Sequence, residues 1–151
     1  MQRNESGAAI IDIGSNSIRY LGADGRKHLI TTRLADGLSG TGRLSEVAME
    51  RSLAALCAFA RLAADEGLQP FAYATSAVRD ASNGKAFALR VASELALPVE
   101  ILTGDLEAKY AWLGATGGCG ALLDVGGGSC QMVSGDFESS FPIGCVRAYE
   151  R

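Results

Sequence analysis

The chain has 151 residues, 48% of them hydrophobic and 21% charged, with a formal net charge of −3. That balance suits a globular domain of ordinary size with its own core, and it excludes a disordered polyelectrolyte. The net negative charge argues against broad nucleic-acid binding, and one histidine with four cysteines in no paired spacing leaves no zinc constellation.

Ala8 to Ile13 is a continuous apolar run, the pattern of a strand buried on both faces. After a tight turn, Ser17 to Ala23 reads as a second strand, ending at the hairpin signal Asp24-Gly25. His28 to Leu34, rich in isoleucine and threonine, completes a β-meander; His28 and Arg33 are expected on a strand face, without a role. Asp36 to Gly42 carries the breakers Asp36-Gly37 and Ser39-Gly40 and reads as a loop.

Ser45 supplies an N-cap for a helix to about Glu66, stopped by Gly67. Met49, Leu53, Leu56, Ala60 and Ala63 line its apolar face, where Cys57 is expected as a buried free thiol. Phe71 to Thr75 is a short strand, and Asn83 to Leu95 a helix with Phe87, Val91 and Leu95 on one side. Val99 to Leu102 follows as a strand, and Asp105 to Leu113 as a third helix. The order is βββαβαβα: a meander and then crossover units, an α/β lobe spanning residues 1–116.

After the small-residue stretch Gly114 to Gly120 the meander restarts. Ala121 to Val125, Cys130 to Ser134 and Ser139 to Ile143 echo the first three strands. Residues 117–151 are therefore expected to begin a second lobe of the same plan, incomplete where its helices should follow. No basic start with an apolar core marks a signal peptide. No apolar run reaches the roughly 18 residues of a membrane span, so a cytoplasmic protein without a membrane partner is expected.

Two segments carry the chemistry. Asp12-Ile13-Gly14-Ser15-Asn16-Ser17 and Asp124-Val125-Gly126-Gly127-Gly128-Ser129 each place an acid, a glycine bend and a hydroxyl between two strands. Glycine lets backbone amides approach an anion, and the hydroxyls add donors. The acid repels a phosphate, so its partner is a divalent cation or a water held by one. Two such turns suggest a phosphate chain gripped from both sides.

These residues resemble the exopolyphosphatase and guanosine pentaphosphate phosphohydrolase family. The segment Ile11-Asp12-Ile13-Gly14-Ser15-Asn16-Ser17 looks like its first phosphate motif, and Ser15-Asn16-Ser17 favours this branch over kinases and actins. Leu34-Ala35-Asp36-Gly37-Leu38, Ala74-Thr75-Ser76-Ala77-Val78-Arg79 and Leu102-Thr103-Gly104-Asp105-Leu106-Glu107-Ala108 match in order, as do the second turn and Ile143-Gly144-Cys145-Val146. The resemblance implies an actin-like ATPase (ribonuclease H-like) lobe followed by the start of a similar one. It implies a Mg²⁺-dependent hydrolase releasing terminal phosphate from polyphosphate or guanosine pentaphosphate, with polyphosphate or guanosine penta- or tetraphosphate as the bound partner.

On that resemblance Glu107 is the catalytic glutamate, and Asp12 and Asp124 hold Mg²⁺ through water. Arg79 takes two phosphate oxygens, and Gly14, Ser15, Asn16 and Ser17 face Gly126, Gly127, Gly128 and Ser129 as phosphate donors. One departure stands out: the family commonly reads Gly-Gly-Gly-Ser-Thr-Glu where this chain has Cys130 and the uncharged Gln131. A non-catalytic polyphosphate or alarmone sensor, or a sugar or acyl kinase of the same superfold, are the alternatives. A meander without covering helices is expected to self-associate or form a homodimer by swapping between two chains, with little activity in this form.

Overall fold

The computed structural model describes residues 7–135 and 137–150; residues 1–6 and Arg151, placed in the two lobes from the sequence, lie outside them. The first sheet has five strands, β1 (Ala8–Ile13), β2 (Ser17–Leu21), β3 (Lys27–Thr31), β4 (Gln69–Ala74) and β5 (Val99–Ile101). They lie in the order β3-β2-β1-β4-β5. The first three form an antiparallel meander, and β4 and β5 add in parallel, which obliges the chain to cross over through helices.

Those crossovers are α1 (Leu38–Thr41) and α2 (Glu46–Asp65) before β4, and α3 (Ser76–Asp80) and α4 (Gly84–Leu95) before β5; α5 (Gly104–Thr116) follows β5. Ser45 caps α2 by accepting from the Ala48 amide at 3.3 Å. The helix buries Ala48, Met49, Leu53, Ala55, Leu56, Phe59 and Ala63 against the sheet. Phe59, not Ala60, completes the stripe, and Cys57 is a free thiol only half-buried at its border. In β1 only Ala9, Ile11 and Ile13 are buried; Ile10 and Asp12 are partly open. The strand expected to be covered on both faces is covered on one, because its other face forms the wall of a cavity.

A second, three-stranded antiparallel sheet follows, β6 (Ala121–Val125), β7 (Cys130–Ser134) and β8 (Phe137–Phe141), in that order, then the short helix α6 (Cys145–Tyr149). The helix α5 lies against this sheet. Gly104 at its start makes that possible, since a Cβ there would sit 2.7 Å from the Ser140 Cβ on β8.

Several boundaries differ from the sequence reading, each for a local reason. The strand β3 ends at Thr31, not Leu34, because the Thr32 and Arg33 amides both donate to the Asn16 carbonyl, at 3.0 and 2.8 Å. Arg33 then turns through φ 48°, so it is not on a strand face, and Leu34 enters the core from a bend. The expected loop from Asp36 to Gly42 contains α1, framed by Gly37 and Gly42 at φ 75° and 66°. The strand β8 is displaced toward the N-terminus relative to Ser139–Ile143, since Pro142 has no amide for the ladder. No helix among the described residues is long and apolar enough to cross a membrane.

Candidate active site

The two glycine turns have the same internal geometry. Gly14 N–H donates to the Ser17 carbonyl at 3.1 Å, and Gly126 N–H donates to the Ser129 carbonyl at 2.9 Å. Each bond closes a hairpin, β1 to β2 in the five-stranded sheet and β6 to β7 in the three-stranded one, so these two amides serve the turn and not a ligand. The turns meet face to face. A Cβ on Gly128 would stand 2.2 Å from Ser76 Oγ and 2.5 Å from Ser15 Oγ, and one on Gly127 would stand 3.2 Å from Ser15 Cβ. Ser15 and Ser76 are buried there and share a hydrogen bond of 2.9 Å.

Beside this contact lies a cavity of about 430 Å³. Asp12, Gly14, Ser15, Asn16 and Ser17 line it from the first turn, Asp124, Gly126, Gly127, Gly128 and Ser129 from the second, and Glu107 from α5. Every residue singled out in the sequence is therefore in its wall except Arg79. That residue falls in α3, not just beyond a strand, and its guanidinium is engaged behind the wall. Nη1 donates to Glu107 Oε2 at 2.7 Å and to the Leu102 carbonyl at 3.1 Å, while Nε lies 3.4 Å from Asp80 Oδ1.

Glu107 thus has one carboxylate oxygen on Arg79 and the other 3.4 Å from the Ser129 hydroxyl, which donates to it. Thr103 caps α5 through the Leu106 amide at 3.3 Å and sets the first turn from which Glu107 projects. Burial raises the Glu107 carboxyl above its ordinary range; Arg79 pulls it down, Asp12 pushes it up and Ser129 pulls it down again. Burial also raises Asp12, against the pull of Arg19 and with a further push from Asp124. Arg19 sits directly across the ladder from Asp12 and pairs with it at 3.1 Å.

Three carboxylates, Asp12, Glu107 and Asp124, share one wall, and two of them are held against their tendency to ionise. A hard divalent cation suits that oxygen-only set. Among the described residues no three His, Cys, Asp or Glu side chains converge into a ready metal cluster, so water would have to complete the shell. The hydroxyls and glycine backbone opposite suit phosphate oxygens.

The sequence reading missed Ser76, Thr75, Tyr73, Arg19 and Tyr110, all in the cavity wall, and named Gln131 there only as a departure from the family motif. Ser76 and Thr75 were within a matched segment from which only Arg79 was taken. Arg19 could have been found from the hairpin register, which sets it opposite Asp12. Gln131 is buried and its Nε2 donates to Ser129 Oγ at 2.8 Å and Ser140 Oγ at 3.2 Å.

The model of the Ppx/GppA phosphatase family matches residues 10–151. The chain belongs to that family. Exopolyphosphatase 2 of Mycobacterium tuberculosis is 37% identical, aligned over 95% of this chain and 54% of its own length. The Ppx/GppA chain described here therefore spans about half the length of the curated relatives it matches. Among solved structures, an exopolyphosphatase-like protein superposes with a TM-score of 0.88 at 30% identity, over 95% of this chain and 52% of that one. An exopolyphosphatase of Cytophaga hutchinsonii gives 0.87 at 26% identity, over 95% and 52%. MamK, solved as a double helical filament, shares the fold alone, with a TM-score of 0.50 at 16% identity over 91% and 55%. The actin-like α/β architecture that the resemblance implied is thus the architecture of this Ppx/GppA chain.

Proposed function

We propose that this chain carries the catalytic wall of a Mg²⁺-dependent phosphoanhydride hydrolase that releases terminal phosphate from inorganic polyphosphate. The observation that carries the reading is Glu107, a shielded carboxylate held between Arg79 and Ser129 in the cavity wall, beside two glycine-hydroxyl turns. Phosphoryl transfer to water needs an oriented water, a grip on the phosphate oxygens and neutralised charge. Glu107 orients and deprotonates the water, and its raised pKa suits a base working nearer neutrality. Asn16 and Ser17, with the backbone of Ser15, Gly127, Gly128 and Ser129, hold the phosphate oxygens, since the Ser15 and Ser129 hydroxyls are engaged with Ser76 and Glu107. Arg79 acts through Glu107, fixing the plane of its carboxylate.

Asp12 and Asp124 would hold the cation, directly or through water, and Asp12 would have to give up or share Arg19 to do so. Bound Mg²⁺ supplies charge neutralisation for the phosphate oxygens. Family membership supports hydrolysis over a sensor or a kinase. Gln131 is compatible with it, since its buried amide braces Ser129 and leaves no charge unmet. Four free cysteines fit a reducing, cytoplasmic setting.

The test is phosphate release from long-chain polyphosphate with Mg²⁺ by the natural polypeptide carrying this sequence, beside its Glu107→Gln variant. The expected loss is about 10²-fold or more. Equal rates in the two proteins would remove Glu107 from the mechanism. Guanosine pentaphosphate in a parallel arm tests the second substrate that the resemblance suggested.

A further inference from the structure

A row of charges runs from the second lobe to the back of Glu107. The helix α6 is fastened to the second glycine turn: the Cys145 amide donates to the Gly126 carbonyl at 3.0 Å, and those of Val146 and Arg147 donate to the Gly127 carbonyl at 2.9 and 3.2 Å. No side chain fits at this junction, because a Cβ on Gly144 would lie 2.5 Å from the Gly127 carbonyl carbon and oxygen. From the same helix Arg147 Nη2 reaches across to the first lobe and donates to Asp80 Oδ2 at 2.6 Å. Asp80 Oδ1 faces Arg79 Nε at 3.4 Å, and Arg79 Nη1 holds Glu107 at 2.7 Å.

This is not a solvated surface pair. The four side chains of Arg147, Asp80, Arg79 and Glu107 are 19%, 30%, 22% and 16% exposed, so their mutual fields are only partly screened. Asp80 is shared between two guanidiniums, one oxygen to each. That sharing matters for geometry. With Arg147 absent, both Asp80 oxygens become free to clamp the neighbouring Arg79 fork, and a planar guanidinium drawn toward Asp80 turns its Nη1 away from Glu107.

We propose that Arg147 and Asp80 are positioning residues, which set Arg79 and through it the Glu107 carboxylate when the second turn is docked on the first lobe. Closing the cavity and aiming its carboxylate then become one event. The inference rests on the proposed role of Glu107 in hydrolysis and adds a cause for its orientation. Neither Arg147 nor Asp80 lines the cavity, so neither touches the substrate.

The experiment compares Arg147→Ala, Arg147→Lys, Asp80→Asn and the exchange Asp80→Arg with Arg147→Asp, with Glu107→Gln as reference, in the natural polypeptide carrying this sequence. Steady-state phosphate release from polyphosphate gives kcat and KM, and urea unfolding reports the fold. Arg147→Ala and Asp80→Asn are expected to lower kcat about tenfold or more with KM within about twofold. Arg147→Lys keeps a donor on Asp80 and retains most of the rate. The exchange restores the unfolding midpoint but not kcat, because an arginine at position 80 repels Arg79. A purely structural latch would recover kcat with the exchange, and that result overturns the proposal. So does an unchanged kcat in Arg147→Ala and Asp80→Asn beside an inactive Glu107→Gln. An active Glu107→Gln, by contrast, removes Glu107 from the mechanism and with it the role on which this inference rests.

Discussion

The contact between the two turns leaves no room for a methyl group at Gly128, and Gly128→Ala measures how much that contact is worth. The added Cβ would enter to 2.2 Å from Ser76 Oγ and 2.5 Å from Ser15 Oγ, two hydroxyls that are buried and bonded to each other. Gly128 is not among the glycines with positive φ, so the cost is steric and not one of backbone strain. Relief requires either rotating both hydroxyls, which breaks their 2.9 Å bond, or moving the second turn off the first lobe. Overpacking of this kind costs about 1–3 kcal/mol. With a urea m-value of about 1–3 kcal/mol/M, the midpoint should fall by on the order of 1 M. Ser15→Ala with Ser76→Ala in the same chain removes both obstructing oxygens together, a pairwise deletion that is nearly neutral in itself, and should return most of the lost midpoint. A Gly128→Ala midpoint equal to wild type, or no recovery in the triple variant, refutes the packing argument.

Asp12→Asn should weaken Mn²⁺ binding, followed by the paramagnetic signal of the free ion, by about tenfold or more, because a charged oxygen ligand becomes neutral. Unchanged affinity would place the cation elsewhere. Glu107 has a raised folded-state pKa, so its contribution to stability is present below the ordinary carboxylate range and is lost as pH rises through the raised value. Urea midpoints of Glu107→Gln relative to wild type should therefore improve between pH 4 and pH 7, and a difference that moves the other way contradicts the burial assignment. The second sheet exposes Leu123, Val125, Phe137 and Phe141, with Ile143 exposed just beyond it, and the 151-residue chain should accordingly self-associate with rising concentration. A monomer by light scattering at high concentration counts against that.

The two turns were legible because the same acid-glycine-hydroxyl pattern occurs twice, each time between apolar runs, and a repeat is visible without any knowledge of tertiary structure. The long helix α2 was legible for a similar reason: Ser45, the apolar stripe and Gly67 agree with one another. What a local pattern does not contain is which face of a strand another lobe will approach. Ile10 and Ile11 are the same residue type, yet Ile11 is in the core and Ile10 is in the cavity wall. Arg79 was misplaced for a related reason. Its segment carries no helical period long enough to reveal α3, and its partners come from Leu102, Glu107 and Asp80, which only the folded chain brings together. The bend that ends β3 likewise depends on a carbonyl of Asn16 in another turn.

Gln131 is where the chain departs from the motif that the resemblance implied, and the direction of its hydrogen bonds turns that departure into a prediction. The side chain is 1% exposed, and its Nε2 donates to Ser129 and to Ser140. Ser129 Oγ must therefore accept from Gln131, which leaves its own proton for Glu107. A carboxylate in the same place could only accept. In Gln131→Glu the Ser129 proton would turn toward position 131, and Glu107 would lose a donor that lowers its pKa while gaining a nearby negative charge. The acid limb of the pH-rate profile for phosphate release should move upward. The new buried carboxyl would itself have a raised pKa, so the variant should lose stability against wild type as pH rises from 4 to 7. Divalent cation should offset that loss, since added negative charge in the cavity wall strengthens cation binding. An unshifted acid limb, with stability equal to wild type at both pH values, would mean that Ser129 takes no direction from residue 131 and that the neutral amide is an incidental exchange.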